Sequence, residues 1–187
     1  MRLAAGRKID RREYPSSGPG PHRDLSASTV PGKPDSVVIP EWTIVVDSRE
    51  QCPLEFINQE PAGPRCLHLG DYSITGHEDR VAVERKSHAD LLGSLTARRQ
   101  AFEREIRAMA EHLDYYALVV EASMSDILRG HDRCGMLPKA AINSVLGWSV
   151  KYRMPVFFCA GRQQAQATIF NLLRFYWEYW GRPAGEA

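Results

Sequence analysis

The sequence has no long apolar run and no segment typical of export. No stretch approaches the roughly 20 consecutive apolar residues of a membrane-spanning helix, so we expect no membrane partner. Residues 1–14 are rich in Arg, but they contain Asp10 and Glu13 and no hydrophobic segment. They predict neither a signal peptide nor a transit peptide. The expected location is intracellular: cytoplasm or nucleoid in a bacterial or viral setting, and the nucleus in a eukaryote.

The sequence also lacks any paired cysteine motif. Its four cysteines are Cys52, Cys66, Cys134 and Cys159, and none of them forms a C-x-x-C pair. His131 lies near Cys134, but no second pair matches it, so the spacing does not favour a structural zinc site. Scattered single cysteines without a secretion signal are typical of reduced thiols.

A strong excess of one charge is absent as well. The chain has 24 Lys and Arg against 23 Asp and Glu, a formal net charge of +1. This excludes a globally basic nucleic-acid coat, so any DNA binding must come from local patches. Seven bases and four acids lie in residues 1–36, which leaves 17 bases and 19 acids beyond them. A cluster of metal-binding carboxylates would favour this slightly acidic balance, and chance composition explains it equally well.

The length of 187 residues suits one domain with some additional chain. Residues 1–36 hold five prolines and almost no bulky apolar residue, which predicts a flexible, disordered N-terminal arm. The bases of this arm either contact nucleic acid or belong to a solvated tail. We predict an ordered domain over residues 37–187, where the apolar residues are frequent enough to form a core.

Apolar spacing predicts alternating strands and helices within this domain. The predicted strands cover residues 42–47, 66–69, 72–75, 81–86, 116–121 and 155–159. The predicted helices cover residues 87–95, 98–113, 138–151 and 163–180, with a short helical turn at 53–58. This order indicates an α/β fold with a mixed central sheet and helices on its faces.

A group of charged residues lies on the predicted hairpin of strands 72–75 and 81–86. Side chains alternate along a strand, so Glu84 and Lys86 project from one face and Arg85 from the other. Asp71 precedes the neighbouring strand, and Asp47 ends the first buried strand. The three carboxylates of this group can therefore converge.

Three close carboxylates would raise each other's pKa unless a cation neutralised them. Mg²⁺ or Mn²⁺ takes oxygen ligands, keeps several waters and bridges to phosphate, and it lowers the pKa of a bound water. Lys86 could steer that water or balance the phosphate charge. The alternative is an ordinary surface: a Glu84–Lys86 ion pair, Asp71 in a turn and Asp47 capping a strand. Spacing alone leaves both interpretations open.

The same residues resemble the signature of the XPF-type structure-specific endonucleases, a family within the restriction-endonuclease-like superfamily. The signature is Gly-Asp, a variable gap, Glu-Arg-Lys, three residues and Asp. Here it stands as Gly70-Asp71, Glu84-Arg85-Lys86 and Asp90. Val46–Glu50, the segment from Asp90 to Leu95 with Arg99 following, and Val119–Glu121 resemble further family elements. The resemblance covers roughly residues 42–180 and implies a restriction-endonuclease-like α/β fold.

The resemblance implies Mg²⁺-dependent cleavage of one DNA strand near a duplex–single-strand junction, such as a flap or fork, in repair or recombination. Mn²⁺ is expected to substitute for Mg²⁺. Asp47, Asp71 and Glu84 resemble the metal ligands, the backbone carbonyl of Arg85 adds another, and Lys86 resembles the catalytic lysine. The positions that support the site or contact DNA are Arg49, Glu50, Arg85, Asp90 and Arg99. Arg49 and Arg99 could equally be structural ion-pair partners.

The sequence departs from the family in one respect. Family members often carry a tandem helix-hairpin-helix module after the nuclease domain, and this chain shows none. Junction recognition would then come from a partner, a second subunit or the basic arm.

The family also commonly dimerises through its nuclease domain, as a homodimer or a heterodimer. The aromatic-rich last helix either contacts such a partner or packs wholly in the core. The alternative function is a non-catalytic DNA-binding or dimerisation subunit.

Overall fold

A computed structural model describes residues 42–56, 62–130 and 135–181, without the side chains of residues 62–64. Within these residues six strands form one mixed sheet. They are β1 (Ile44–Asp47), β2 (Ala62–Arg65), β3 (Tyr72–Ile74), β4 (Val81–Ser87), β5 (Tyr115–Glu121) and β6 (Val156–Phe158). The strand order is β2-β1-β3-β4-β5-β6. β3 is antiparallel to both β1 and β4, and the other three pairs are parallel.

Helices cover both faces of the sheet. They are α1 (His88–Leu95), α2 (Arg99–His112), α3 (Met124–Arg129), α4 (Pro138–Tyr152) and α5 (Arg162–Tyr176), which continues into a π-helical turn at Trp177–Gly181. The first four helices share one apolar cluster with Leu118 and Val120 of β5. α5 packs on the opposite face, against Val119 and residues of β1, β3 and β4. The predicted α/β architecture is confirmed.

β4 is a central strand of the sheet because it pairs with β3 on one side and β5 on the other. Val81, Ala82 and Val83 are fully buried. The parallel pairing with β5 is unbroken from Val81 opposite Tyr115 to Ser87 opposite Glu121. A strand buried in this way holds its charged end residues in a fixed register.

Several local predictions differ from the structure. β2 and α3 were not predicted, residues 53–56 form no helix, and residues 66–69 are irregular rather than extended. β2 has the sequence Ala-Gly-Pro-Arg, which carries no strand pattern, and such a Pro is tolerated because β2 is an edge strand. α3 begins with a capping box between Ser123 and Asp126, a signal present in the sequence.

Three predictions concern residues outside the described part of the chain. They are the flexible arm at residues 1–36, the start of the ordered domain at Val37, and the environment of His131 and Cys134. Residues 57 and 58 of the predicted helical turn lie outside it as well. Among the helices that the structure describes, none has the length and apolar content to cross a membrane.

The last helix combines core packing with exposed aromatic rings. Ala165, Ile169, Leu173 and Tyr176 are buried against the sheet. By contrast, Phe175, Tyr179 and Trp180 are 42%, 73% and 68% exposed. One side of this helix therefore belongs to the core, and contact of the other side with a partner stays a prediction.

Candidate active site

The Gly70-Asp71 segment is held between β1 and β4. The amide of Asp47 donates to the carbonyl of Asp71 at 2.9 Å, and the amide of Asp71 donates to the carbonyl of Val83 at 3.0 Å. Gly70 has a φ of 71°, and a Cβ at this position would lie 2.8 Å from the Cβ of Ala82. Only glycine accommodates both the left-handed backbone and this close approach, so Gly70 lets Asp71 face β4.

Asp71 and Glu84 line a cavity of about 450 Å³. Its other lining residues are Asp47, Arg49, Glu50, Gln51, His68, Leu69, Gly70, Arg85, Asp90, Arg98, Glu105 and Met109. Burial, followed by repulsion from Glu84, raises the pKa of Asp71 to about 8. Glu84 is 6% exposed, and this burial raises the pKa of its carboxyl group. The charge of Lys86 acts in the opposite direction but is the smaller effect. Both carboxyl groups therefore lose their protons less readily than exposed carboxyl groups do.

Lys86 contacts Glu84 directly, as strand parity predicted. Its Nζ lies 2.5 Å from Oε1 of Glu84 and 5.0 Å from the centre of the Phe102 ring. Burial lowers the pKa of Lys86, but the charge of Glu84 more than offsets this and the net shift is upward. Lys86 therefore stays cationic at neutral pH, between a carboxylate and an aromatic face.

Asp47 lies in the same cavity with both carboxylate oxygens engaged. Oδ1 accepts from the amide and Nε of Arg49, at 2.7 and 2.9 Å, and Oδ2 accepts from Nη2 of Arg49 at 2.7 Å and the amide of Leu67 at 2.9 Å. The Arg49 side chain lowers the pKa of Asp47 despite its burial. The expectation of three carboxylates with raised pKa values is therefore right for Asp71 and Glu84 and wrong for Asp47, because Arg49 neutralises it.

No group of three or more His, Cys, Asp or Glu side chains is arranged to hold a metal ion in the described part of the chain. Asp71 and Glu84 are left as a pair of carboxyl groups that interact electrostatically with each other and with Lys86. Because Mg²⁺ needs only one or two carboxylates and keeps several waters, this smaller set matches its chemistry.

Arg85 forms the support of the site on the opposite face of β4. Its Nε donates to Glu121 at 2.8 Å, and its Nη1 lies 3.2 Å from Glu50 and 3.1 Å from the carbonyl of Cys52. Its backbone amide donates to Oδ2 of Asp71 at 2.7 Å. Arg85 therefore joins β4, β5 and the segment after β1 and also orients Asp71.

The remaining predicted positions differ in their placement. Asp90 lines the cavity and forms a reciprocal cap with Ser87, with 2.6 Å between Oγ and Oδ2. Arg99 is not on the cavity wall. Its Nη1 donates to Ser144 at 3.0 Å, and its guanidinium lies 4.8 Å from the ring centre of Trp148. Arg99 thus joins α2 to α4 through a hydrogen bond and a cation–π contact.

Sequence reasoning did not assign two charged residues on the wall of the cavity, Arg98 and Glu105. They share one face at the start of α2 with Phe102 and Met109, at spacings of four, three and four residues. This helical periodicity, anchored on the buried Phe102, is the signal that could have identified them.

The part of the chain that forms this cavity matches a known protein domain. A family model described as the ERCC4 domain matches residues 46–172, more than half of the chain and all of the lining residues. The chain belongs to the ERCC4 domain family. Membership supports a role as a DNA nuclease or a DNA-binding protein.

Solved structures show the same fold as this ERCC4 domain. XPF from Aeropyrum pernix matches with a TM-score of 0.58 and 21% identity, covering 74% of this chain and 67% of that chain. XPF from Aeropyrum pernix in complex with DNA matches with a TM-score of 0.52 and 19% identity, covering 76% and 68%. No curated protein sequence matches the chain at a significant level.

Proposed function

We propose that this protein is a metal-dependent endonuclease that hydrolyses phosphodiesters in branched DNA, such as flaps or forks, during repair or recombination. The observation that carries the proposal is that Asp71 and Glu84 line one cavity and that Lys86 forms an ion pair with Glu84. Such buried charges are costly without a function, and they are the groups that phosphate hydrolysis requires. The DNA complex of the XPF structure supports the choice of substrate.

Mg²⁺, with Mn²⁺ as a substitute, fits the oxygen donors of this cavity. Asp71, Glu84 and the backbone carbonyl of Arg85 would hold it, and Asp47 would join them only by sharing its oxygens with Arg49. Burial raises the pKa values of Asp71 and Glu84, so a cation would relieve their ionisation cost. When bound, the ion would supply a water of lowered pKa and stabilise negative charge on the phosphate.

The side chains of the protein supply positioning and charge. Lys86 is cationic and lies beside Glu84, where it can orient the attacking water and neutralise a phosphate oxygen. Oxygen from water forms a bond to phosphorus, and the bond to the 3′ oxygen breaks. The products are a 3′-hydroxyl and a 5′-phosphate on the downstream strand. Arg85 holds β4 in place through Glu50 and Glu121.

Dimerisation through the nuclease domain, as a homodimer or heterodimer, is a further part of the proposal. The exposed rings of Phe175, Tyr179 and Trp180 support it, because exposed aromatic groups are frequent at protein interfaces. A partner subunit would also contribute to the recognition of a DNA junction.

Cleavage of labelled flap, fork, bubble, duplex and single-stranded DNA in Mg²⁺ tests the proposal. Wild-type protein should cut a branched substrate, and chelation should stop it. Asp71→Ala and Lys86→Ala should lose at least about 100-fold in rate while still binding DNA. Lys139→Ala removes an exposed lysine of α4 outside the cavity and should cut normally.

Equal cleavage by the wild type, Asp71→Ala and Lys86→Ala would exclude the assigned chemistry. DNA binding by all variants without any cleavage would instead identify a non-catalytic DNA-binding subunit. Circular dichroism of each variant separates loss of catalysis from loss of folding.

A further inference from the structure

Arg98 lines the cavity and differs from the other cations of the site, because its side chain has no ionic partner among the described residues. Arg49 is paired with Asp47, Arg85 with Glu50 and Glu121, and Lys86 with Glu84. No hydrogen bond or salt bridge involves the guanidinium of Arg98 within residues 42–56, 62–130 and 135–181. Its positive charge is therefore available to a ligand.

The backbone of Arg98 is nevertheless fixed. Its amide donates to the carbonyl of Gly93 at 3.1 Å, and its carbonyl accepts from the amide of Phe102 at 3.0 Å. Its Nη2 lies 3.7 Å from where a Cβ on Gly93 would be, so the side chain extends over the end of α1. An exposed guanidinium on an anchored backbone loses little backbone freedom when it binds.

The balance of charge explains why the cavity needs such a group. Six carboxylates line it: Asp47, Glu50, Asp71, Glu84, Asp90 and Glu105. The paired cations add no net positive charge, and Glu105, two turns along α2 from Arg98, has no ion-pair partner among the described residues. A DNA phosphate that approaches this wall is repelled except where an unpaired cation faces it.

We propose that Arg98 binds a backbone phosphate of the DNA strand that enters the cavity and thereby holds that strand at the wall of the cavity. This inference rests on the proposed function and deepens it. The planar guanidinium presents two parallel N–H groups to the non-bridging oxygens of a phosphodiester, a contact that Lys cannot reproduce. Phosphate contacts of this kind fix the register of a protein on DNA without reading its sequence.

The experiment compares Arg98→Ala and Arg98→Lys with Arg107→Ala on the flap or fork that the wild type cleaves. Arg107 is an exposed cation of the same helix that does not line the cavity. KM and kcat are measured separately in Mg²⁺. The Kd for the same DNA is measured in EDTA across a series of salt concentrations.

Arg98→Ala should raise KM and Kd about 10-fold and change kcat by less than about 3-fold, because one phosphate contact is lost. Its slope of log Kd against log salt should be smaller in magnitude by about 0.7 to 0.9. Arg98→Lys should keep most of that slope and recover part of the KM, since it keeps the charge but not the paired N–H groups. Arg107→Ala should match the wild type.

Identical KM and salt slope in Arg98→Ala and Arg107→Ala would overturn the inference and leave the proposed function intact. A lowered Tm in Arg98→Ala, with full KM recovery in Arg98→Lys and an unchanged salt slope, would assign Arg98 a structural role instead. If wild-type protein neither binds nor cleaves DNA, the proposed function and this inference both fail.

Discussion

Asp47 ends β1, Asp71 immediately precedes the neighbouring β3, and both line one cavity; a backbone hydrogen bond of 2.9 Å links them. Their pKa values nevertheless move in opposite directions. Arg49 lowers the pKa of Asp47, while burial and Glu84 raise that of Asp71 to about 8. Burial raises the pKa of both carboxyl groups, but Arg49 outweighs it at Asp47, whereas burial dominates at Asp71. Both carboxylate oxygens of Asp47 accept hydrogen bonds from Arg49, and Asp71 accepts one from the amide of Arg85.

The largest predicted effect on stability is at Asp47. Asp47→Ala should lower the free energy of unfolding by about 2 to 4 kcal/mol, because the amide of Leu67 and the guanidinium of Arg49 lose their acceptor. Urea unfolding at pH 7 in EDTA measures it. Asp114→Ala is the control, since Asp114 pairs with Arg80 on the surface and should cost less than about 1 kcal/mol. Equal losses of unfolding free energy in Asp47→Ala and Asp114→Ala would show that the hydrogen bonds of Asp47 stabilise the protein no more than a surface ion pair does.

A substitution at Asp71 should change the stability in the opposite direction. Asp71 ionises near pH 3.8 when unfolded and near pH 8 when folded, so the folded protein binds the extra proton between these values. The stability from this proton is complete below about pH 4 and is lost as the pH rises to about 8. Asn at this position cannot ionise and can still accept from the amide of Arg85. Asp71→Asn should therefore stabilise metal-free protein by roughly 1 to 3 kcal/mol at pH 8.

Urea unfolding in EDTA at pH 5 and pH 8 tests this prediction, and the gain should be clearly smaller at pH 5. Asp114→Asn provides a surface control that should not show the trend. A gain that is the same at both pH values would mean that the carboxyl of Asp71 ionises normally in the folded protein.

The smallest predicted effect concerns the partner that distinguishes the two aspartates. The Arg49 side chain is 66% exposed, so solvent screening should limit the cost of Arg49→Ala to about 0.5 to 1 kcal/mol at pH 7. Because the folded pKa of Asp47 is lowered, the stability from this pair is present above pH 3.8 and is lost as the pH falls through the folded pKa. Unfolding at pH 7 and pH 3 should show the difference shrinking in acid. A constant difference would indicate packing rather than charge.

Much of the candidate site follows from local rules in the sequence. Alternation along one strand was enough to place Glu84 beside Lys86 and to direct Arg85 to the other face. The partners of Asp47 could not be predicted in the same way. One of these partners is the amide of Leu67, which folding brings to Asp47 from 20 residues along the chain.

Helix register separates the two neighbouring arginines, Arg98 and Arg99. Arg98 and Arg99 are neighbours in sequence but about 100° apart around a helix, so the motif alone does not decide which of them faces the cavity. The buried Phe102 decides it in favour of Arg98, four residues earlier. Arg99 turns to Ser144 and Trp148 instead, residues that lie more than 40 positions along the chain.

The parallel pairing of β4 with β5 also has a consequence for timing during translation. Every residue that lines the cavity lies between Asp47 and Met109, ahead of β5 in the chain. Glu121, which anchors Arg85, and α5, which covers the other face, are synthesised later. A nascent chain therefore contains all the reactive groups before it has the sheet that aligns them. Until β5 has been synthesised, Arg85 lacks its partner Glu121 and β4 lacks its parallel neighbour.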